Sequence, residues 1–174
     1  MSAIKIVTYP AEILRKKAEP VSQIDGKLQK LIDAMIETLY NVPGLGVAAP
    51  QVGQSLRLFA YDMTLKDGEK QDLTVLLNPE IIESSGEIIA DEGCLSIPEH
   101  WEKVKRAERV LVKGVDREGK EIRIEAEGLH ARLLQHEIDH LNGVLMLDHL
   151  SSLKRNILLR KLKKEIRRAE EPER

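Results

Sequence analysis

Leu28, Leu31, Ile32, Met35, Ile36 and Leu39 recur at three- and four-residue steps, which lays one apolar stripe along a helix spanning residues 25–40. Asp25 is placed to cap its first turn, and Asn41-Val42-Pro43-Gly44 to end it. From residue 44 onward the period shortens. Segments 56–61, 73–77, 110–115 and 122–126 are short, rich in β-branched residues and separated by polar turns, the pattern of strands. Residues 62–72 read as a long exposed hairpin loop and 116–119 as a tighter one. Helical spacing resumes at Leu129, Leu133, His136 and His140. It returns at Leu158, Leu162 and Ile166, in a last helix from about 151 to 168. A helix, then strands, then helices predicts an α+β fold rather than an alternating parallel sheet.

Composition narrows the setting. The 174 residues fit one domain of about 100–200, so residues 1–174 are expected to form a single catalytic unit. A net charge of −2 gives the whole molecule no attraction for DNA or an anionic membrane. No stretch approaches the ~18 apolar residues of a membrane span, and the apolar start, broken by Lys5 and Pro10, is too short for a signal peptide. The single cysteine, Cys94, rules out an intramolecular disulfide and suits a reducing compartment. Charge is uneven, however. Lys154, Arg155, Arg160, Lys161, Lys163, Lys164, Arg167 and Arg168 crowd the last helix and its tail, about 151–174, before Glu170, Glu171 and Glu173. A solvated helix face explains that run; a surface for phosphates is the functional alternative.

The residues that carry chemistry begin at His136-Glu137-Ile138-Asp139-His140. Residues four apart on a helix face the same way, so both imidazoles reach one ion. Glu137 lies beside that ion without ligating it, where it accepts a proton from an activated water as general base. A catalytic site needs a third protein ligand and an open position. Met146 stands where one long zinc-protease signature places a third histidine, which excludes that signature. Glu165 lies among lysines and arginines and reads as a surface residue. His100, His130 and His149 each stand alone. Cys94, in Glu92-Gly93-Cys94-Leu95-Ser96, sits in what reads as a bent loop end, although a lone cysteine is commonly just a small buried hydrophobe. These residues alone leave a metallopeptidase, a thiol hydrolase using Cys94 with a histidine, and a structural metal site open as rivals.

The remaining notable segment is Gly44-Leu45-Gly46-Val47-Ala48-Ala49-Pro50-Gln51, whose small residues leave the backbone open to close approach. It is not a dinucleotide fingerprint, because the third glycine is misplaced. Taken together, this segment, Glu92-Gly93-Cys94-Leu95-Ser96 and His136-Glu137-Ile138-Asp139-His140 resemble the three signature motifs of the peptide deformylase family, in order and in spacing. The likeness runs from Ile-Val-Thr-Tyr-Pro near the start to the C-terminal helix, as in the common bacterial type.

The resemblance implies hydrolysis of the formyl group from N-formylmethionyl peptides, in a cytoplasmic enzyme of bacterial or organellar origin. It implies short, mostly antiparallel strands around a central metal-binding helix, flanked by an N-terminal amphipathic helix and a C-terminal helix. Cys94, His136 and His140 would hold one divalent ion, natively Fe(II), with Zn, Ni or Co as substitutes. The side-chain amide of Gln51 and the backbone N–H of Leu95 would stabilise the oxyanion. The backbone of Gly46 would pair with an extended substrate. Leu45, Leu129 and Leu133 are the candidates for the methionine pocket, the last two because they share the helical face of His136. Related enzymes imply ribosome docking for the basic C-terminal helix.

Overall fold

A computed structural model describes residues 3–172; Glu173, at the acidic end of the tail, lies outside the described residues. The first apolar stripe forms helix α1, Gly26–Tyr40, and the side chain of Asp25 caps it by accepting from the Leu28 N–H at 2.9 Å. Its buried face, Leu28, Ile32, Met35 and Leu39, packs on one side of a five-stranded antiparallel sheet.

That sheet contains β1 (Gly46–Ala48), β2 (Leu58–Asp62), β3 (Leu73–Ser85), β6 (Arg109–Val115) and β7 (Glu121–Glu127), in the order β1-β2-β3-β6-β7. The two-residue period of a strand sends alternate side chains to opposite faces. Val47, Leu58, Ala60, Val75 and Leu77 therefore meet α1. Ala48, Phe59, Tyr61 and Leu76 meet helix α2 (Gly128–Leu141) on the other side, through Ala131, Leu134, Ile138 and Leu141. Burying each such leucine or isoleucine contributes roughly 1.5–3 kcal/mol. The central helix is thus fixed against a sheet packed on both faces.

A separate two-stranded sheet pairs β4 (Ile88–Cys94) with β5 (Ile97–Arg106). It covers a third apolar cluster that includes Leu14, Ile97, Val104, Leu147, Leu158 and Leu162. The last two come from α3 (Ser152–Glu170), which Ser151 caps. Leu158 and Leu162 are buried and Ile166 half-buried, as the spacing predicts, and the lysines of the helix point to solvent.

Four elements depart from the sequence expectation. β3 runs eight residues past Leu77, because its pairing with β6 continues through register shifts after the apolar run has ended. β4 and β5 were not expected as strands; Asp91, Lys103 and Lys105 occupy the outer face while Val104, Arg106, Glu92 and Cys94 turn inward. The 62–72 connection contains a 3-10 turn, Met63–Asp67, and begins on a fully buried carboxylate. Asp62 accepts from the Thr64 N–H and from the Tyr40 hydroxyl, both at 2.9 Å. Burial and that bond to Asp62 push the Tyr40 phenol up to about 12. No helix among the described residues is long and apolar enough to cross a membrane.

Candidate metal centre and active site

Helix α2 presents His136 and His140 one turn apart on the same face, with their Nε2 atoms 3.2 Å from each other. Cys94 arrives from the end of β4. A register shift between Gly93 and Cys94 lets the strand close directly through Leu95 and Ser96 onto Ile97, and this places Sγ 3.4 Å from His140 Nε2. The ligand atoms of Cys94, His136 and His140 all lie within 4.8 Å of one another, and no other such group occurs among the described residues.

These spacings suit an ion. Ligands held tetrahedrally at ~2.1 Å for nitrogen and ~2.3 Å for sulfur stand about 3.5 Å apart. Burial pushes the Cys94 thiol up, but His140 and His136 outweigh it and hold the thiol well below its usual range. A buried thiolate beside two imidazoles is a donor set for Fe(II) or Zn.

Glu137 is buried one step round the helix. Its Oε2 has no hydrogen-bond partner among the described residues, and burial pushes its carboxyl up. On its other side stands the backbone of β1. A Cβ built on Gly46 would lie 2.8 Å from Glu137 Oε1, so only glycine lets strand and carboxylate approach this closely. An unpartnered buried carboxylate beside a candidate ion site is arranged to take up a proton.

Gln51 follows β1 in the 3-10 turn Ala49–Val52. Its Oε1 accepts from the Ala48 N–H at 3.0 Å, which fixes the amide's orientation. Nε2 then donates to Ser96 Oγ at 3.2 Å and lies 3.9 Å from Cys94 Sγ. Ser96 is tied in turn to the Val7 carbonyl at 2.8 Å. Leu95 packs against the bare backbone of Gly44. The glycine segment and the cysteine loop are therefore neighbours. Leu45 packs on the same cluster as Leu133. Leu133 is buried, whereas Leu129, at the start of α2, is 49% exposed.

The three isolated histidines lie outside the centre and have other partners. His100 meets Glu165, His130 meets Tyr61, and His149 meets Asp139. Glu165 is accordingly no ligand.

Sequence reasoning missed the support behind His136. Glu92, buried in β4, accepts from His136 Nδ1 at 2.5 Å. It also accepts from Arg106 Nε and Nη2, at 2.9 and 2.5 Å, and from Arg132 Nη2 at 3.2 Å. Arg106 extends the network to Asp139 at 2.8 Å. Burial pushes the Glu92 carboxyl up, but Arg106 and His136 overcome this and hold it well below the usual carboxylate range. A carboxylate on the far ring nitrogen fixes which nitrogen of a histidine faces the ion. In the sequence Glu92 stands out only as the first residue of Glu92-Gly93-Cys94-Leu95-Ser96. The arginines lie 14 and 40 positions away from it, and no local pattern links them.

A thiolate, two imidazoles and an unpaired buried carboxylate beside them define the centre of a metal-dependent hydrolase. The model of the polypeptide deformylase family matches residues 3–156, and the chain belongs to that family. The peptide deformylase of Thermodesulfovibrio yellowstonii is 56% identical over 163 residues, covering 94% of this chain and 98% of that protein. The crystal structure of a peptide deformylase from Legionella pneumophila superposes with a TM-score of 0.89 at 50% identity, over 98% of this chain and 99% of that one. That of Ehrlichia chaffeensis in complex with actinonin gives 0.86 at 38% identity, over 95% and 98%.

Proposed function

We propose that this chain, acting as one catalytic domain in the cytoplasm, removes the formyl group from the N-terminal formylmethionine of new polypeptides and releases formate. The observation that carries the reading is the juxtaposition of Glu137, Gly46 and the Cys94–His136–His140 group. A formyl carbon bears only hydrogen, so it fits where the backbone of β1 crowds the carboxylate; a larger acyl group would not.

An ion held by Cys94, His136 and His140 would act as Lewis acid and make hydroxide available near neutral pH, water's pKa falling from 15.7 towards ~7. Glu137 takes the proton as oxygen attacks the formyl carbon, and returns it to the leaving amine of methionine. The Gln51 amide and the Leu95 N–H donate to the oxyanion, each worth ~3–4 kcal/mol. The Gly46 backbone pairs with the extended peptide, and Leu45, Leu129 and Leu133 receive the methionine side chain. Anaerobically purified protein should release formate from formyl-Met-Ala-Ser and leave acetyl-Met-Ala-Ser intact. Metal-loaded protein that released no formate would remove the substrate assignment.

We assign Fe(II) as the native ion, with Zn, Ni and Co as substitutes. A thiolate beside Fe(II) and oxygen is placed to be oxidised. Activity of the iron form should therefore decay in air within a time that leaves the nickel and zinc forms active. Equal decay of all three would contradict this.

The exposed lysines and arginines of α3 support docking on ribosomal RNA near the emerging chain, with no role for membrane or DNA. Phosphate contacts make such binding fall steeply with salt. Deleting residues 151–174 should abolish co-sedimentation with ribosomes at low salt. Unchanged sedimentation of a folded truncation would remove the docking surface.

A further inference from the structure

We infer that Ser96 is a positioning residue for the oxyanion donor. Its hydroxyl ties up one of the two side-chain amide hydrogens of Gln51 and leaves the other aimed at the metal centre. Ser96 is held there in turn by the backbone of residues 7–9. The inference rests on the deformylase reading and adds to it a residue outside the metal ligands and the proposed donors.

Ser96 is 0% exposed and Gln51 1%, so bulk water does not compete for their polar atoms. The direction of each bond follows from counting hydrogens. A primary amide offers one acceptor oxygen and two donor hydrogens; a hydroxyl offers one hydrogen and two lone pairs. The Ala48 N–H is a donor only, and it holds Gln51 Oε1 at 3.0 Å. A turned-over amide would set its NH₂ against that N–H, so Nε2 has to face Ser96. The Val7 carbonyl is an acceptor only, and it takes the Ser96 hydrogen at 2.8 Å. Ser96 Oγ therefore meets Gln51 Nε2, 3.2 Å away, with its lone pairs. One amide hydrogen is consumed there. The other has Cys94 Sγ nearby, at 3.9 Å, and is the donor left for an oxyanion formed beside the cysteine.

An anchor at Oε1 alone would let the amide plane pivot about that bond. The second anchor at Nε2 stops the pivot, and a donor aimed in advance needs no rearrangement as charge develops. The same N-terminal segment also sets where the donors stand. The Val7 N–H donates to the Gln51 carbonyl at 2.7 Å, and the Tyr9 N–H to the Ser96 carbonyl at 2.9 Å. Residues 7–9 thus bridge the 3-10 turn that carries Gln51 and the loop that carries Leu95 and Ser96. Ser96 is not placed as a nucleophile, because its hydrogen goes to a carbonyl and not to a base.

The test is a double-mutant cycle on anaerobic, metal-loaded protein: wild type, Ser96→Ala, Gln51→Ala and the double variant. Formate release from formyl-Met-Ala-Ser and metal content are read on each. Gln51→Ala should lose about 10²–10³ in kcat, the cost of one oxyanion donor. Ser96→Ala should lower kcat about tenfold, the worth of one neutral hydrogen bond, with metal content unchanged. Its KM should move less than about twofold, because the bond acts in the transition state. The double variant should match Gln51→Ala within about twofold, since nothing is left for Ser96 to aim. Ser96→Cys keeps the volume but supplies a poor acceptor, so it should fall with Ser96→Ala. The same proportional loss from Ser96→Ala in both backgrounds would overturn the inference, and so would an undiminished kcat. Loss of the metal from both Ser96 variants would overturn it too, by marking a structural role. Absence of formate from the wild type would instead overturn the deformylase reading, and this inference with it.

Discussion

Replacing Glu137 with glutamine is expected to leave the metal bound and to lower kcat by about 10³–10⁴-fold. Positioned proton transfer contributes about 10²–10⁴, and in the proposed reaction one carboxylate serves twice, first taking the proton of the attacking water and then delivering it to the amine. Glutamine keeps the volume and one acceptor, so the packing against Gly46 survives, but it cannot carry the proton. The metal is retained because Glu137 is not in the group formed by Cys94, His136 and His140. The measurement is formate release together with metal content on the same anaerobic preparation. A variant keeping more than a tenth of the wild-type kcat would exclude Glu137 as the base. A variant without metal would show that the carboxylate holds the centre together instead.

What could be read from the sequence, and what could not, divides along physical lines. Helix α1 was legible because its buried face is a continuous stripe, and the capping role of Asp25 followed from its place before that stripe. The pairing of His136 with His140 was legible for a similar reason: the helix fixes their relation without help from the rest of the chain. β4 and β5 were not, because their outward residues are charged and the inward ones include Glu92 and Arg106, which read as surface. Cys94 could not be chosen over His100, His130 or His149 by residue type, since its approach to α2 is made by a register shift at the end of β4; only the resemblance singled it out. Leu133 and Leu129 share a helical face with His136, but burial separates them. Leu133 lies under the sheet, and Leu129 sits at the helix start, half open to solvent. The ion network behind His136 was silent because its members are joined by folding alone.

That network supplies the second large effect. Glu92→Ala should destabilise the fold by roughly 3–5 kcal/mol, the cost of removing one member of a buried ion cluster, and weaken metal binding about 10–100-fold, as loss of a histidine's outer partner does. The two consequences come from different arms. Arg106 keeps Asp139 when Glu92 is removed, but Arg132 keeps only the carbonyls of Ala90 and Val104, so a buried charge is left without its counter-ion. His136 meanwhile loses the acceptor on Nδ1 and is free to turn. Glu92→Gln separates the arms: the amide oxygen still accepts one hydrogen bond, but its NH₂ then faces the donors of arginine and histidine. Both variants should also flatten the acid limb of stability. Glu92 has a lower pKa folded than unfolded, so the unfolded chain binds the proton more readily. The stabilisation is complete above the ordinary carboxylate pKa of about 4.3 and is lost as pH falls below it towards the folded value. Urea unfolding of the metal-free protein at pH 7 and pH 4 reads the stability, and competition with a chelator reads the affinity. Wild type should lose more stability between those pH values than either variant. A change below 1 kcal/mol in Glu92→Ala at pH 7, with unaltered metal affinity, would mean that packing alone holds His136 in place.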